Sequence, residues 1–187
     1  MDIREHSIAL VSVIVGLGLT DLLGNLNRLI RARRTIRWDA LPIAWAVIAF
    51  VLVNNFWWAL FLGVTGIEKP SSAGTFLLSL SMPVLLYLIC AAALPYGRTA
   101  HGLDLREAYL AESRYFFILI VTYVLMTQIL VFFSGAGLLW NEATWLRCVF
   151  VATCIPLIQT RRIGYHRAAT GVVLAITFFR LFQLSLH

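Results

Sequence analysis

Charge is the scarcest property of this sequence. Only 13% of its 187 residues are Asp, Glu, Lys or Arg, about half the share usual in a soluble domain. Hydrophobic residues make up 60% and the mean hydropathy is +0.85, a composition that calls for a bilayer as solvent. Lysine is nearly absent. Lys69 stands alone in a loop, which leaves no amine inside an apolar segment for Schiff-base chemistry. The three cysteines, Cys90, Cys148 and Cys154, lie in apolar segments without metal-ligand spacing. Odd in number, they read as small buried hydrophobes and not as a disulfide framework. The histidines His6, His101, His166 and His187 fall in loops or at segment ends and read as surface groups. No nucleophile elbow, P-loop, dinucleotide fingerprint, H-E-x-x-H or C-x-x-C occurs. Enzymatic chemistry is therefore not expected. No catalytic residue or metal ligand stands out, and any cofactor is unknown.

What is present is apolar length. A membrane span needs about 20 apolar residues, and six segments qualify, at about 7–27, 42–64, 75–95, 115–137, 144–160 and 168–186. The first is too long for the core of a cleavable leader and follows the mixed-charge start MDIREH, so it is expected to remain as a span. The connections KPSSAG, PYGRTAHG, SGAG and RRIGYHR are short and rich in turn residues, and 1–187 reads as a single transmembrane domain.

The arginines orient the spans. Arg28, Arg31, Arg33, Arg34 and Arg37 follow the first, Arg98, Arg106 and Arg114 follow the third, and Arg161, Arg162 and Arg167 follow the fifth. The alternate side holds only Arg4, Lys69 and Arg147 near the span ends. Positive connections stay cytoplasmic. The sequence thus predicts an all-α integral membrane protein, a six-transmembrane-helix bundle with both termini extracytoplasmic, in a bacterial inner (cytoplasmic) membrane. Trp38 and Trp45 at the inner entrance of the second span, and Trp140 and Trp145 at the outer entrance of the fifth, read as headgroup-level anchors. Asp104 and Glu107 form a D-x-x-E capping pattern that predicts a helix start near Leu105. The basic residues Arg28, Arg31, Arg33, Arg34, Arg37, Arg161 and Arg162 are expected to meet anionic lipid headgroups at the cytoplasmic face. The net charge of +6 then requires no nucleic acid as partner.

On a helical wheel, the second half of the first span divides into three stripes. Leu19, Leu22, Leu23, Leu26, Leu29 and Ile30 form a wide apolar face. Gly16, Thr20 and Gly24 form a small-xxx-small stripe suited to close helix packing. Gly18, Asp21, Asn25 and Arg28 form the third. Asp21 would lie about 9 Å inside the cytoplasmic end of the span, at 1.5 Å per residue, where a charge needs shielding from lipid. It is therefore expected to look into the bundle, a cavity or a partner. Asn54 and Asn55 occupy comparable depths in the second span, and Gln128, beside Tyr123 and Thr127, in the fourth. In the third, Pro83 frees the Ser79 carbonyl and reads as a kink. Thr170, Val173, Thr177 and Arg180 form a seam along the sixth.

Intramembrane ionisable groups are functional-site hypotheses by default. The expected function is an oligomeric channel or transporter for an ion, proton or small solute, with a path along Asp21, Asn25, Asn54, Asn55, Gln128, Thr177 and Arg180. An Asp21–Arg180 pair would be structural or would gate that path. The alternative is a non-catalytic accessory, sensor or anchoring subunit of a larger membrane complex. The partners are then the bilayer and either further copies of the chain, as a homo-oligomer, or other subunits. Convergence of the polar residues on a wet cavity favours transport; local hydrogen bonds in a dry core favour the accessory role.

Overall fold

The computed structural model describes residues 3–62, 73–95, 103–132 and 142–185. Within them the chain forms six α-helices: α1 (Ile3–Arg31), α2 (Ala40–Phe61), α3 (Ala73–Ala92), α4 (Leu105–Val131), α5 (Glu142–Cys154) and α6 (Ile163–Ser185). Lys69, Arg98, His101, Trp140 and His187 lie outside the described residues. Two aspartates set where long helices begin. Asp39 accepts a hydrogen bond from the Leu41 amide at 2.9 Å and opens α2. Asp104 accepts from the amides of Arg106 and Glu107 at 2.9 and 3.4 Å, so α4 begins at Leu105, where the capping pattern put it.

Three helices are long and apolar enough to cross a membrane: α1 over Glu5–Arg31, α2 and α4. The α5 helix is shorter than the sequence suggests. It has 13 residues, about 20 Å of length, and tightens into a 3-10 turn over Ile155–Ile158. Pro156 lacks the amide hydrogen that would continue the α-helical ladder. By contrast, α3 runs through Pro83 from Ala73 to Ala92.

Packing differs from the helical wheel in one respect that matters for function. The inward face of α1 is Val11, Val15, Gly18, Leu22, Asn25 and Leu29, a narrow seam that borrows from two of the stripes, while Leu23 and Ile30 are exposed. This face packs chiefly on α3. Gly18 permits the approach, because a Cβ there would lie 3.1 Å from the Tyr87 Cα. Close packing was expected of Gly16, Thr20 and Gly24. Instead Gly16 and Thr20 are exposed, Gly24 is half-buried, and a Cβ on either glycine would meet open space. Elsewhere α3 packs on α4, α2 on α6 and α3, and α4 on α5 and the 3-10 turn. Trp45, Ile48, Leu86, Ile89, Phe117, Ile120 and Leu157 are fully buried at the centre. Leu17, Phe50, Trp57, Phe61, Leu125 and Phe178 are exposed around the outside, an apolar exterior compatible with lipid.

Three connections meet at one end. The Arg37 amide donates to the Leu103 carbonyl at 2.9 Å, and the Leu105 amide donates to the Arg37 carbonyl at 3.2 Å. Arg37 also pairs with Asp104 at 3.7 Å, and Arg167 with Asp39 at 3.8 Å. Both arginines are largely exposed, so each pair contributes at most about 1 kcal/mol. Their importance is positional: they tie the connection after α1 to the connection after α3 and to the start of α6.

The contrast between two glycines is testable. Gly18→Leu is expected to destabilise the protein by about 1–3 kcal/mol through overpacking against α3, lowering its thermal unfolding midpoint in detergent. Gly16→Leu, facing open space, should stay within about 0.5 kcal/mol of the parent.

Candidate functional site

At the end where the basic connections meet, His166 in the first turn of α6 is completely buried, not the surface group its arginine-rich neighbourhood suggests. Its Nε2 lies 2.8 Å from the Thr160 carbonyl oxygen, and its Nδ1 lies 2.9 Å from the Tyr109 hydroxyl. A carbonyl only accepts, so Nε2 carries a hydrogen. In the neutral imidazole, Nδ1 then accepts from the Tyr109 O–H. One turn along α6, the Thr170 hydroxyl donates to the His166 carbonyl at 2.7 Å and accepts from the Trp45 indole N–H at 3.0 Å. Trp45 is therefore a core residue, 0% exposed, and not a headgroup anchor. Its indole N–H finds its acceptor on α6 instead of at the membrane surface. The Trp45 and Phe117 rings meet edge-on at 4.8 Å, and those of Tyr109 and His166 at 5.5 Å.

This network joins α2, α4, α6 and the segment before α6. Both imidazole nitrogens are engaged by protein atoms, so the ring has neither a spare lone pair for a metal nor a free proton for a substrate. Among the described residues, no three of His, Cys, Asp and Glu come together as metal ligands would. A cleft alongside, lined by Pro42, Ala93, Pro95, Tyr109 and Phe116, is mostly apolar. A sequence signal for the buried histidine existed. Extending the seam of Thr170, Val173 and Thr177 back by one turn reaches His166, but the flanking arginines in RRIGYHR disguise it.

The seven polar residues expected along a path do not converge. Asp21 is exposed on α1 and has no hydrogen bond or ion pair among the described residues. Asn25 is buried and accepts from Arg28 Nη1 at 3.4 Å. Asn54 is exposed and donates to the Phe50 carbonyl of its own helix at 2.8 Å, and Asn55 is half-buried. Thr177 is buried and donates back to the Val173 carbonyl at 2.8 Å. Gln128 on α4 accepts from Arg147 Nη1 on α5 at 2.8 Å. Arg180 on α6 is half-buried, with its charge acting on Arg147. Asp21 and Arg180 are not paired: α1 packs on α3 and α2, whereas α6 packs on α2 and α5. Gln128 and Arg180 thus share a neighbourhood through Arg147, a residue that the sequence marked only as a span-end charge. The basic residues expected at the lipid surface, Arg28, Arg31, Arg33, Arg34, Arg37, Arg161 and Arg162, are all exposed.

No family model matches this chain, and no curated protein or solved structure does either. Its chemistry has to be read from its own geometry. That geometry offers a buried hydrogen-bonded lock at one end, a polar cluster with two arginines on α4, α5 and α6, and an exposed carboxyl at the edge of the α1–α3 seam.

The lock makes a direct prediction. Tyr109→Phe leaves the His166 Nδ1 acceptor unpaired, and Thr170→Val removes the Thr170 acceptor from the Trp45 N–H; each is expected to cost about 1–3 kcal/mol in unfolding measured in detergent. Because both act through His166, a double-mutant cycle should return a coupling of at least about 0.5 kcal/mol.

Proposed function

We propose that the protein is a non-catalytic accessory or anchoring subunit of a larger membrane complex, joined to a neighbouring subunit through the outward face of α1. In this reading α3, α5 and α6 cross the bilayer together with the three longer apolar helices. Both termini lie on the extracytoplasmic side of a cytoplasmic membrane. The meeting of the three basic connections at one end supports that topology, since positive connections stay on the cytoplasmic side.

Asp21 carries the proposal. It is exposed, makes no hydrogen bond or ion pair among the described residues, and stands seven residues before the exposed Arg28 on α1, about 10 Å deeper along the helix axis. A charged side chain at the centre of a helix in lipid costs at least about 2.5–3.5 kcal/mol on insertion scales, and less toward the interface. A neighbouring helix carrying a Lys, an Arg or another donor at this depth removes that cost. Gly24, one turn along and with open space beyond it, leaves room for its backbone to come close. A second copy of the chain in parallel would set Asp21 against Asp21, like against like, which makes a different subunit the better complement. Transport through the chain itself has less support, because the residues such a path would use do not converge: Asn25, Asn54 and Thr177 bond within their own helices, and Asp21 lies on α1, apart from Gln128 and Arg180.

The test is native mass spectrometry of the complex extracted from its own membrane, combined with cysteine crosslinking from Thr20→Cys. A subunit that is stoichiometric with the parent chain, crosslinks to position 20, and falls at least tenfold in occupancy with Asp21→Leu supports the proposal. Asp21→Asn should retain part of the assembly by keeping the hydrogen bond. A crosslink only between copies of the chain, or an Asp21-dependent ion flux from the purified protein in vesicles, would overturn it.

A further inference from the structure

The half-buried Arg147 and Arg180 lie on adjacent helices, away from the end that holds His166. Counted up from the turn near Thr160, Arg147 lies about 19 Å along α5 and its 3-10 turn, and Arg180 about 26 Å along α6. Since the two helices pack together, that difference falls within the reach of two arginine side chains. The charge of each is close enough to act on the other. Two guanidiniums repel, and a carboxylate would normally lie between them. No ion pair among the described side chains involves either arginine: those present are Arg37–Asp104 and Arg167–Asp39, both at the opposite end.

The groups around the pair are donors as well. Gln128 turns its carbonyl oxygen to Arg147 at 2.8 Å, which leaves its NH2 group to donate elsewhere. Tyr123 is buried on α4, near enough for the Arg147 charge to act on it, and its hydroxyl makes no hydrogen bond among the described residues. Arg147 spends one Nη1 hydrogen on Gln128 and keeps the rest of its planar fork. Arg180 makes no hydrogen bond among the described residues. A half-buried set of two cations, an amide NH2 and a phenol, with no ion-paired carboxylate among the described side chains, is the complement of an oxyanion with several acceptor oxygens.

We propose that Arg147 and Arg180, with Gln128 and Tyr123, form a binding site for a phosphate-type oxyanion, held by the two guanidinium forks between α4, α5 and α6. The phosphodiester of an acidic phospholipid and free inorganic phosphate share this chemistry. The site lies toward the bundle end opposite the basic connections and does not depend on what covers α1.

The experiment follows the thermal unfolding midpoint of the full chain in an uncharged detergent. Sodium phosphate at constant ionic strength is titrated in one arm, and phosphatidylglycerol in mixed micelles in the other. The parent protein is expected to be stabilised in at least one arm, with Arg147→Gln and Arg180→Gln each raising the half-effect concentration at least tenfold. Arg162→Gln, exposed at the opposite end, should leave it unchanged. A response to phosphate identifies a free-anion site, and a response confined to the lipid arm identifies a headgroup site. Stabilisation in neither arm, or variants that respond like the parent, would overturn the proposal. If Arg147→Gln fails to fold because Gln128 loses its donor, Arg180→Gln carries the same test alone.

Discussion

The buried imidazole of His166 is the constraint on which the α2–α4–α6 part of the bundle depends. A fully buried ring with two nitrogens must have both satisfied, and here one partner comes from α4 and the other from the backbone before α6. Thr170 carries the same constraint to α2 through Trp45. Each of these hydrogen bonds is worth little when made and much more when left unmade in a dry interior. In lipid there is also little hydrophobic gain from bringing helices together, so packing and polar contacts carry more of the specificity. A histidine that ties two helices and a connection by direct bonds, with a third helix held through its neighbour, defines one arrangement among many similarly apolar ones.

With that end locked, the remaining polar groups divide by position. Hydroxyls such as Ser12, Thr127, Thr153 and Thr177 bond back to carbonyls one turn earlier, the least costly way to hide an O–H group in hydrocarbon. Arg147 and Gln128 reach across helices. Asp21 does neither: it is exposed at the edge of the α1–α3 seam, near enough to the buried Cys90 for its charge to act on the thiol. The α1 helix packs chiefly on α3 and leaves its opposite face exposed, whereas α4 and α5 join polar groups across helices; this contrast supports an assembly role for the first and ligand chemistry for the α4–α6 half.

Much of the fold was legible in the residues. Asp104 and Glu107 located the start of α4 because capping is local chemistry, settled within four residues. The apolar lengths of α1, α2 and α4 were equally local. The candidate site was less legible. Trp45 resembled an interface anchor because tryptophan prefers the headgroup level unless its N–H finds an acceptor inside, and Thr170, 125 residues away, supplies one. Arg147 resembled a span-end charge until α4 brought Gln128 alongside it.

Composition and local pattern alone located three helices long and apolar enough to cross a membrane and marked which connections are basic. Only the tertiary structure decided which stripe of each helix faces inward. In water the apolar face of a helix is the buried one, so a helical wheel points to the core. In a bilayer both lipid and core are apolar, and the wheel loses that direction. Gly18 therefore took the packing role expected of Gly16 and Gly24, His166 went inside, and Asp21 remained outside.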